Sequence, residues 1–383
     1  MAEFPTATKA IVTTPPKDGQ LSWDLQDVHV REPKEDELLV RLVASGICHT
    51  DLVMSMIPPE YGGLYPKVLG HEGGGIVEKV GAKVGHVKAG DLVLLSFDYC
   101  GKEECHNCAD EAPGYCPEFN QKNIFCEAEH FKKASGESAA GAFFGQSSFA
   151  HRTIVKEKSA VNVTDLVKSE EELKLFAPFG CGFQTGAGSI TELANAKERD
   201  SVVVFGLGGV GMLAVMAAKL RGCRTIIAVD RVQSRLDISS SVGATHTINT
   251  KDFANLTGDV VDAIKAIETL GSNFILDTTG VLALIEAGIQ ALAARGQMIL
   301  IGVPPPGETL AIDPVTLLGP GKMIRGCIEG DAKPEKYIPQ MIQWYREGKL
   351  PIEKLIKEYK AGDFAQALGD MHNGSTIKPI LIW

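Results

Sequence analysis

The feature that most constrains this chain is a turn built from glycine. The apolar run Ser201–Phe205, SVVVF, passes into Gly206-Leu207-Gly208-Gly209-Val210-Gly211 and then into a helix-forming stretch, VGMLAVMAAKL. Between a strand and a helix, the first glycine of such a G-x-G-x-x-G permits the tight turn and the second lets backbone approach a pyrophosphate. The third lets helix and sheet pack closely. The helix start adds unpaired N–H donors that favour an anion. A second run, TIIAVD, ends at Asp230, nineteen residues beyond Gly211, where a carboxylate can accept hydrogen bonds from ribose hydroxyls and repel a 2′-phosphate. The pattern points to a dinucleotide site using Gly206, Gly208, Gly209, Gly211 and Asp230, with NAD favoured over NADP. Arg231, next in the chain, keeps NADP open, because a guanidinium can pair with a phosphate. On a blander reading the glycines only shape a turn and Asp230 only ends a strand.

Around that turn the chain alternates strand and helix from about Ser189 to Arg325, the signature of a parallel, doubly wound α/β sheet. Before it, ELLVRLVASGIC, GGGIVEKVG and GDLVLLSF read as short β segments separated by turn signals. After it come an amphipathic helix around KYIPQMIQWYREG and a last strand, IKPILIW. At 383 residues and 41.0 kDa the chain exceeds the usual single-domain size. We therefore expect a dinucleotide-binding domain over 189–325 and a β-rich domain made of 1–188 and 326–383. The small, polar stretch 134–142, ASGESAAGA, reads as a mobile surface loop.

The formal net charge of -10 would repel phosphate backbones and anionic lipid, so nucleic acid and membranes are poor partners and a small molecule a better one. No run has the length of a signal peptide or a membrane span, which points to the cytosol. There the nine cysteines would remain thiols, available to metals. Cys100, Cys105, Cys108 and Cys116 fall within seventeen residues, a density that suits a closed, four-thiolate, structural zinc site. Ordinary buried cysteines are the plain alternative, and His106 is a spare ligand. Cys126, Cys223 and Cys327 carry no assigned role, although Cys126 lies near the lobe.

Five segments occur in one order: GICHTD (46–51), GHEGGGIVEKVG (70–81), the cysteine lobe, GCGFQTGAG (180–188) and GLGGVG (206–211). In that order and separation they resemble the zinc-containing medium-chain alcohol dehydrogenases over nearly the whole chain. FGCGFQTGAG is most similar to the aryl (benzyl) alcohol branch. The resemblance implies a GroES-like catalytic domain beside a Rossmann domain, with one catalytic and one structural zinc per chain. It implies that Cys48, His71 and Cys181 hold the catalytic zinc, leaving one tetrahedral position open. It further implies Glu72 behind the metal, Asp51 orienting the histidine, and Thr50 as the hydroxyl that starts proton export. Thr185 would lie against the nicotinamide, His49 and Lys378 at the pyrophosphate, and Arg235 near the adenosine ribose. Two departures stand out. Val53 occupies a place where many relatives have a relay histidine, and the Cys100–Cys105 spacing is two residues longer than the commonest one.

What the resemblance implies chemically is hydride transfer between an alcohol and nicotinamide, aided by zinc. Phe143 and Phe144 fall where the family lines its substrate channel and Phe97 lies just before the cysteine lobe, which suits an aromatic or unsaturated primary alcohol, unless they are core aromatics. Three alternatives remain: a glutathione-linked formaldehyde dehydrogenase, a carbon–carbon double-bond reductase on the same scaffold, and a non-catalytic NAD- and zinc-binding protein. Family members usually form homodimers or homotetramers through the nucleotide-binding domain.

Overall fold

The computed structural model describes residues 3–61 and 63–383. The chain divides into two compact units, Met1–Gly182 with Lys333–Gln343 and Leu355–Trp383, and Phe183–Ala332 with Trp344–Lys354.

In the first unit, strands Thr6–Thr13, Trp23–Val30, Glu127–Lys133, Ser138–Gly141 and Lys67–Val68 close into a barrel. Ala10, Val12, Val28, Val30 and Phe131 fill it. A second, seven-stranded sheet has Glu37–Gly46 near its middle, flanked by Gly73–Val80, Arg152–Lys156 and Lys378–Ile382. A strand covered on both faces must be apolar almost throughout, and ELLVRLVASG is buried at all but one position. Its partner begins with three glycines because there is no room for side chains: a Cβ on Gly75 would stand 2.5 Å from the Arg41 carbonyl oxygen. The last strand returns to this sheet, with Ile380 opposite Gly46.

The stretch expected to be a mobile loop is not one. Only a turn protrudes; Ser138–Gly141 is a barrel strand with Ala139 and Ala140 buried. Its last residue is a glycine because His130 fills the space beside it. A Cβ on Gly141 would lie 2.6 Å from the imidazole.

The second unit is a six-stranded parallel sheet ordered His246–Asn249, Thr225–Asp230, Ser201–Phe205, Ser272–Asp277, Leu292–Leu300, Met323–Gly326. The order reverses at Ser201–Phe205, the topological switch point beyond whose carboxyl end such sheets bind ligands. Helix Gly182–Gly188, apart from its first residue, falls in this unit ahead of the change of periodicity at 188/189, and the π-turn Ser189–Leu193 follows it. They pack on the turn Glu329–Asp331, so closely that a Cβ on Gly188 would meet the Gly330 carbonyl at 2.5 Å.

Candidate active site and metal centre

Three segments far apart in sequence bring Cys48, His71 and Cys181 together in the first unit. Their ligand atoms all lie within 4.8 Å of one another. Cys48 caps helix His49–Ser55 in an extended conformation, and its backbone N–H donates to Asp51 Oδ2 at 2.9 Å. The other oxygen of Asp51 accepts from His71 Nδ1 at 2.9 Å and from Gly70 N at 3.1 Å. Fully buried, Asp51 thus ties one ligand to another and leaves His71 Nε2 as the basic nitrogen. That nitrogen is buried and has no hydrogen-bond partner, a costly state unless something else binds it. Two thiols and an orphaned imidazole nitrogen form the donor set of a zinc ion with one position left over, so these residues fit the metal.

The electrostatics favour a cation as well. A hydrogen bond with Cys181 and the charge of His71 hold the Cys48 thiol well below its ordinary range, against the effect of burial. Burial disfavours the His71 imidazolium, but the charges of Asp51 and Cys48 outweigh it and raise His71 well above the usual value. Behind the triad, buried Glu72 accepts from Lys378 Nζ at 2.8 Å on each oxygen and from Gly182 N at 3.2 Å. The sequence reading assigns Lys378 to the pyrophosphate; here its ammonium lies in the interior, on Glu72 and the Ile47 carbonyl at 3.2 Å.

On the helix that Cys48 caps, Thr50 Oγ1 is 3.8 Å from Cys48 Sγ and partly exposed, while His49 and Val53 are exposed. Phe144 stacks on the His71 ring at 4.5 Å and Phe143 meets it edge-on at 5.4 Å. Phe97 sits one ring further off, against Tyr99 and Phe119. All three of these phenylalanines are buried in the hydrophobic core, Phe143 and Phe144 against His71 and against each other. Sequence reasoning passed over Gln146 and Ser96, two buried residues with no chemical motif around them whose hydrogen bonds run to the ligand segments.

Cys100, Cys105, Cys108 and Cys116 form the second cluster, again within 4.8 Å, with Cys116 buried and the others partly so. Despite its longer spacing, Cys100 joins the group, followed by a left-handed Gly101 (φ +61°). His106 opens the short helix His106–Ala109 and stays outside the cluster, as does Cys126. None of the nine cysteines is joined in a disulfide.

In the second unit the glycines behave unequally. Gly206 has φ +84°, a Cβ on Gly211 would stand 1.9 Å from the Gly206 carbonyl, and Gly208 faces open space at the cap of helix Gly209–Leu220. A tight turn, a close packing point and a cleared approach are what a phosphate cradle needs. Asp230 accepts from Leu207 N at 2.7 Å and Val232 N at 2.8 Å, so its carboxylate is held at the strand end, 3.9 Å from Arg235. Thr185 is buried, its hydroxyl 3.4 Å from the Glu329 carboxylate.

Comparison with known proteins agrees with this geometry. Residues 34–165 match the family "Alcohol dehydrogenase GroES-like domain" and residues 209–347 match "Zinc-binding dehydrogenase". The chain is 35% identical to a geraniol dehydrogenase of Castellaniella defragrans over 94% of both chains. It is 32% identical to an S-(hydroxymethyl)glutathione dehydrogenase of Saccharomyces cerevisiae, over 95% of this chain and 94% of the relative. The crystal structure of benzyl alcohol dehydrogenase from Acinetobacter calcoaceticus superposes with a TM-score of 0.88 at 39% identity, covering 98% of this chain and 99% of that one. A GroES-like barrel unit, a Rossmann sheet and family matches on both make this chain an oxidoreductase of the zinc-containing medium-chain alcohol dehydrogenase family.

Proposed function

We propose that the enzyme moves hydride between a flat, apolar primary alcohol, aromatic or unsaturated, and NAD, using zinc held by Cys48, His71 and Cys181. The observation that carries this reading is the triad itself, two thiols and an unpartnered imidazole nitrogen within 4.8 Å. Zinc there would supply Lewis acidity, lowering the pKa of an alcohol and polarising a carbonyl in reverse. The chain's own side chains do the remaining work. Asp51 fixes the His71 tautomer, and the Lys378 ammonium neutralises Glu72 behind the triad. Thr50 Oγ1 receives the alcohol proton. With Val53 in the relay position, the proton leaves through the cofactor's ribose hydroxyls and water, or by way of His49. Thr185 supports the nicotinamide and Arg235 the adenosine ribose. The four-cysteine lobe takes a second, structural zinc.

NAD rather than NADP is supported by the held carboxylate of Asp230. The substrate class is supported by relatives named for geraniol and benzyl alcohol. Oligomers would form through the second unit, where Val303, Val315, Leu318 and Met323 are exposed and a second copy would cover them. Cysteines not joined in disulfides fit a cytosolic enzyme. Among the described residues no helix is long and apolar enough to cross a membrane.

The test is NADH formation from benzyl alcohol, geraniol, ethanol and S-(hydroxymethyl)glutathione. We expect kcat/KM for the first two to exceed that for ethanol by about tenfold or more, the scale that apolar contacts give. Preference for the glutathione adduct would favour the activity for which the yeast relative is named. Loss of the double bond with the carbonyl kept would identify a double-bond reductase.

A further inference from the structure

Gln146 sits in a turn whose backbone conformation is unfavourable. Ala142, Phe144 and Ser147 all have left-handed φ, at 60°, 50° and 53°, beside Gly145 at 64°, a region that side-chain-bearing residues avoid. The surroundings hold it there. Ser147 Oγ accepts from Phe143 N at 3.0 Å and donates to the Val68 carbonyl at 2.6 Å, Ser159 donates to the Phe144 carbonyl at 3.1 Å, and Thr153 donates to that of Gln146 at 2.6 Å. Strain kept in place by so many contacts marks a segment whose shape matters.

What the turn delivers is the Gln146 amide, fully buried, with each arm on a backbone group of a structural segment that bears or supports a ligand. Its Nε2 donates to the carbonyls of His71 and Ser96, both at 3.0 Å, and its Oε1 accepts from Gly73 N at 3.2 Å. The backbone is therefore gripped on both sides of Glu72, beginning at the ligand His71. Ser96 in turn donates through Oγ to the Gly180 carbonyl at 2.6 Å, next to Cys181. No side chain fits between these two segments, since a Cβ on Gly180 would lie 1.8 Å from the Leu95 carbonyl. A chain of hydrogen bonds thus runs from the His71 segment through Gln146 and Ser96 to the Cys181 segment.

We propose that Gln146, acting through Ser96, is a positioning residue that sets the separation of His71 and Cys181 and hence the triad's hold on its metal; this rests on the zinc reading above. The experiment is zinc release from the isolated protein to a chelator, with the zinc of the cysteine lobe as internal reference. Gln146→Met keeps the shape and removes all three side-chain bonds, whereas Ser96→Ala removes the hydroxyl on Gly180 and leaves the Gln146 amide in place. In Gln146→Met one zinc should leave about tenfold faster or more, in Ser96→Ala by a smaller factor, with the lobe zinc at its wild-type rate. Cobalt-substituted Gln146→Met should show a shifted visible spectrum. If Gln146→Met fails to fold, Ser96→Ala decides alone by the same selective release. Wild-type rates, or both zincs accelerated together, overturn the proposal. Wild-type protein that carries only the lobe zinc overturns the triad reading and the proposal with it.

Discussion

The two cysteine-bearing centres are built in opposite ways. The lobe draws four thiols from seventeen consecutive residues and leaves three of them partly exposed. The triad draws two thiols and an imidazole from positions more than 130 residues apart, with His71 and Cys181 buried. A local, four-thiolate set has every coordination position filled and can only brace the chain. A distributed set of three leaves a position open, but needs a rigid fold to hold its members in place. The same contrast separates the two fully buried histidines. His71 Nε2 is unpartnered and faces two thiols, whereas His130 Nδ1 is unpartnered with no ligand group gathered around it.

The strongest way to break the first contrast is Cys48→Ala. We expect kcat/KM for benzyl alcohol to fall by roughly a thousandfold or more, the scale of lost Lewis-acid stabilisation, and elemental analysis to show two zincs per chain falling to about one. Full activity with both zincs retained would remove Cys48 from the ligand set. Cys105→Ser tests the other centre. It should cost roughly 3 kcal/mol or more of unfolding free energy in denaturant titration, while the folded fraction keeps most of its turnover. An equal loss of turnover would mean that the lobe is not merely a brace.

Smaller effects sharpen the picture. Asp230→Ser removes the acceptor for Leu207 N and Val232 N, so the KM for NAD should rise about tenfold or more and the preference move toward NADP. Unchanged constants for both cofactors would reduce Asp230 to a strand end.

His130 bears on the pair of histidines. Burial, reinforced by the charge of Arg31, pushes its pKa down to about 3. The unfolded chain therefore takes up a proton below about 6.5 that the folded chain refuses. Stability is unaffected above that pH and falls as pH drops from about 6.5 toward 3, by up to about 1.4 kcal/mol per pH unit from this group. In His130→Phe that share of the acid slope should vanish, measured as unfolding free energy from pH 7 to 4.5. A slope identical to wild type would show that His130 is not buried neutral.

Much of this was legible in the sequence because it is encoded locally. The strand–glycine–helix turn at 201–220, the alternation after it and the cysteine lobe each depend on residues within one or two elements. The loop expected at 134–142 was misread because small residues suit both a flexible tip and a strand pressed against a large ring. Only His130, on the strand paired directly with it, distinguishes the two. The phenylalanines at 143 and 144 were legible as apolar but not as rings laid against His71. Gln146 gave no signal, since a glutamine among small residues looks like surface until its three bonds are seen.

By itself, the sequence determined the elements, the glycine turn, the four-thiol lobe and, through five ordered segments, the family. Tertiary structure alone decided that Asp51 bridges Cys48 and His71, that Lys378 turns inward to Glu72, and that Gln146 and Ser96 tie the ligand segments together. The reason is one of range. Backbone periodicity and close spacing act within a few residues, whereas a buried polar group is satisfied by whichever partner the fold brings within about 3 Å, however distant in the chain.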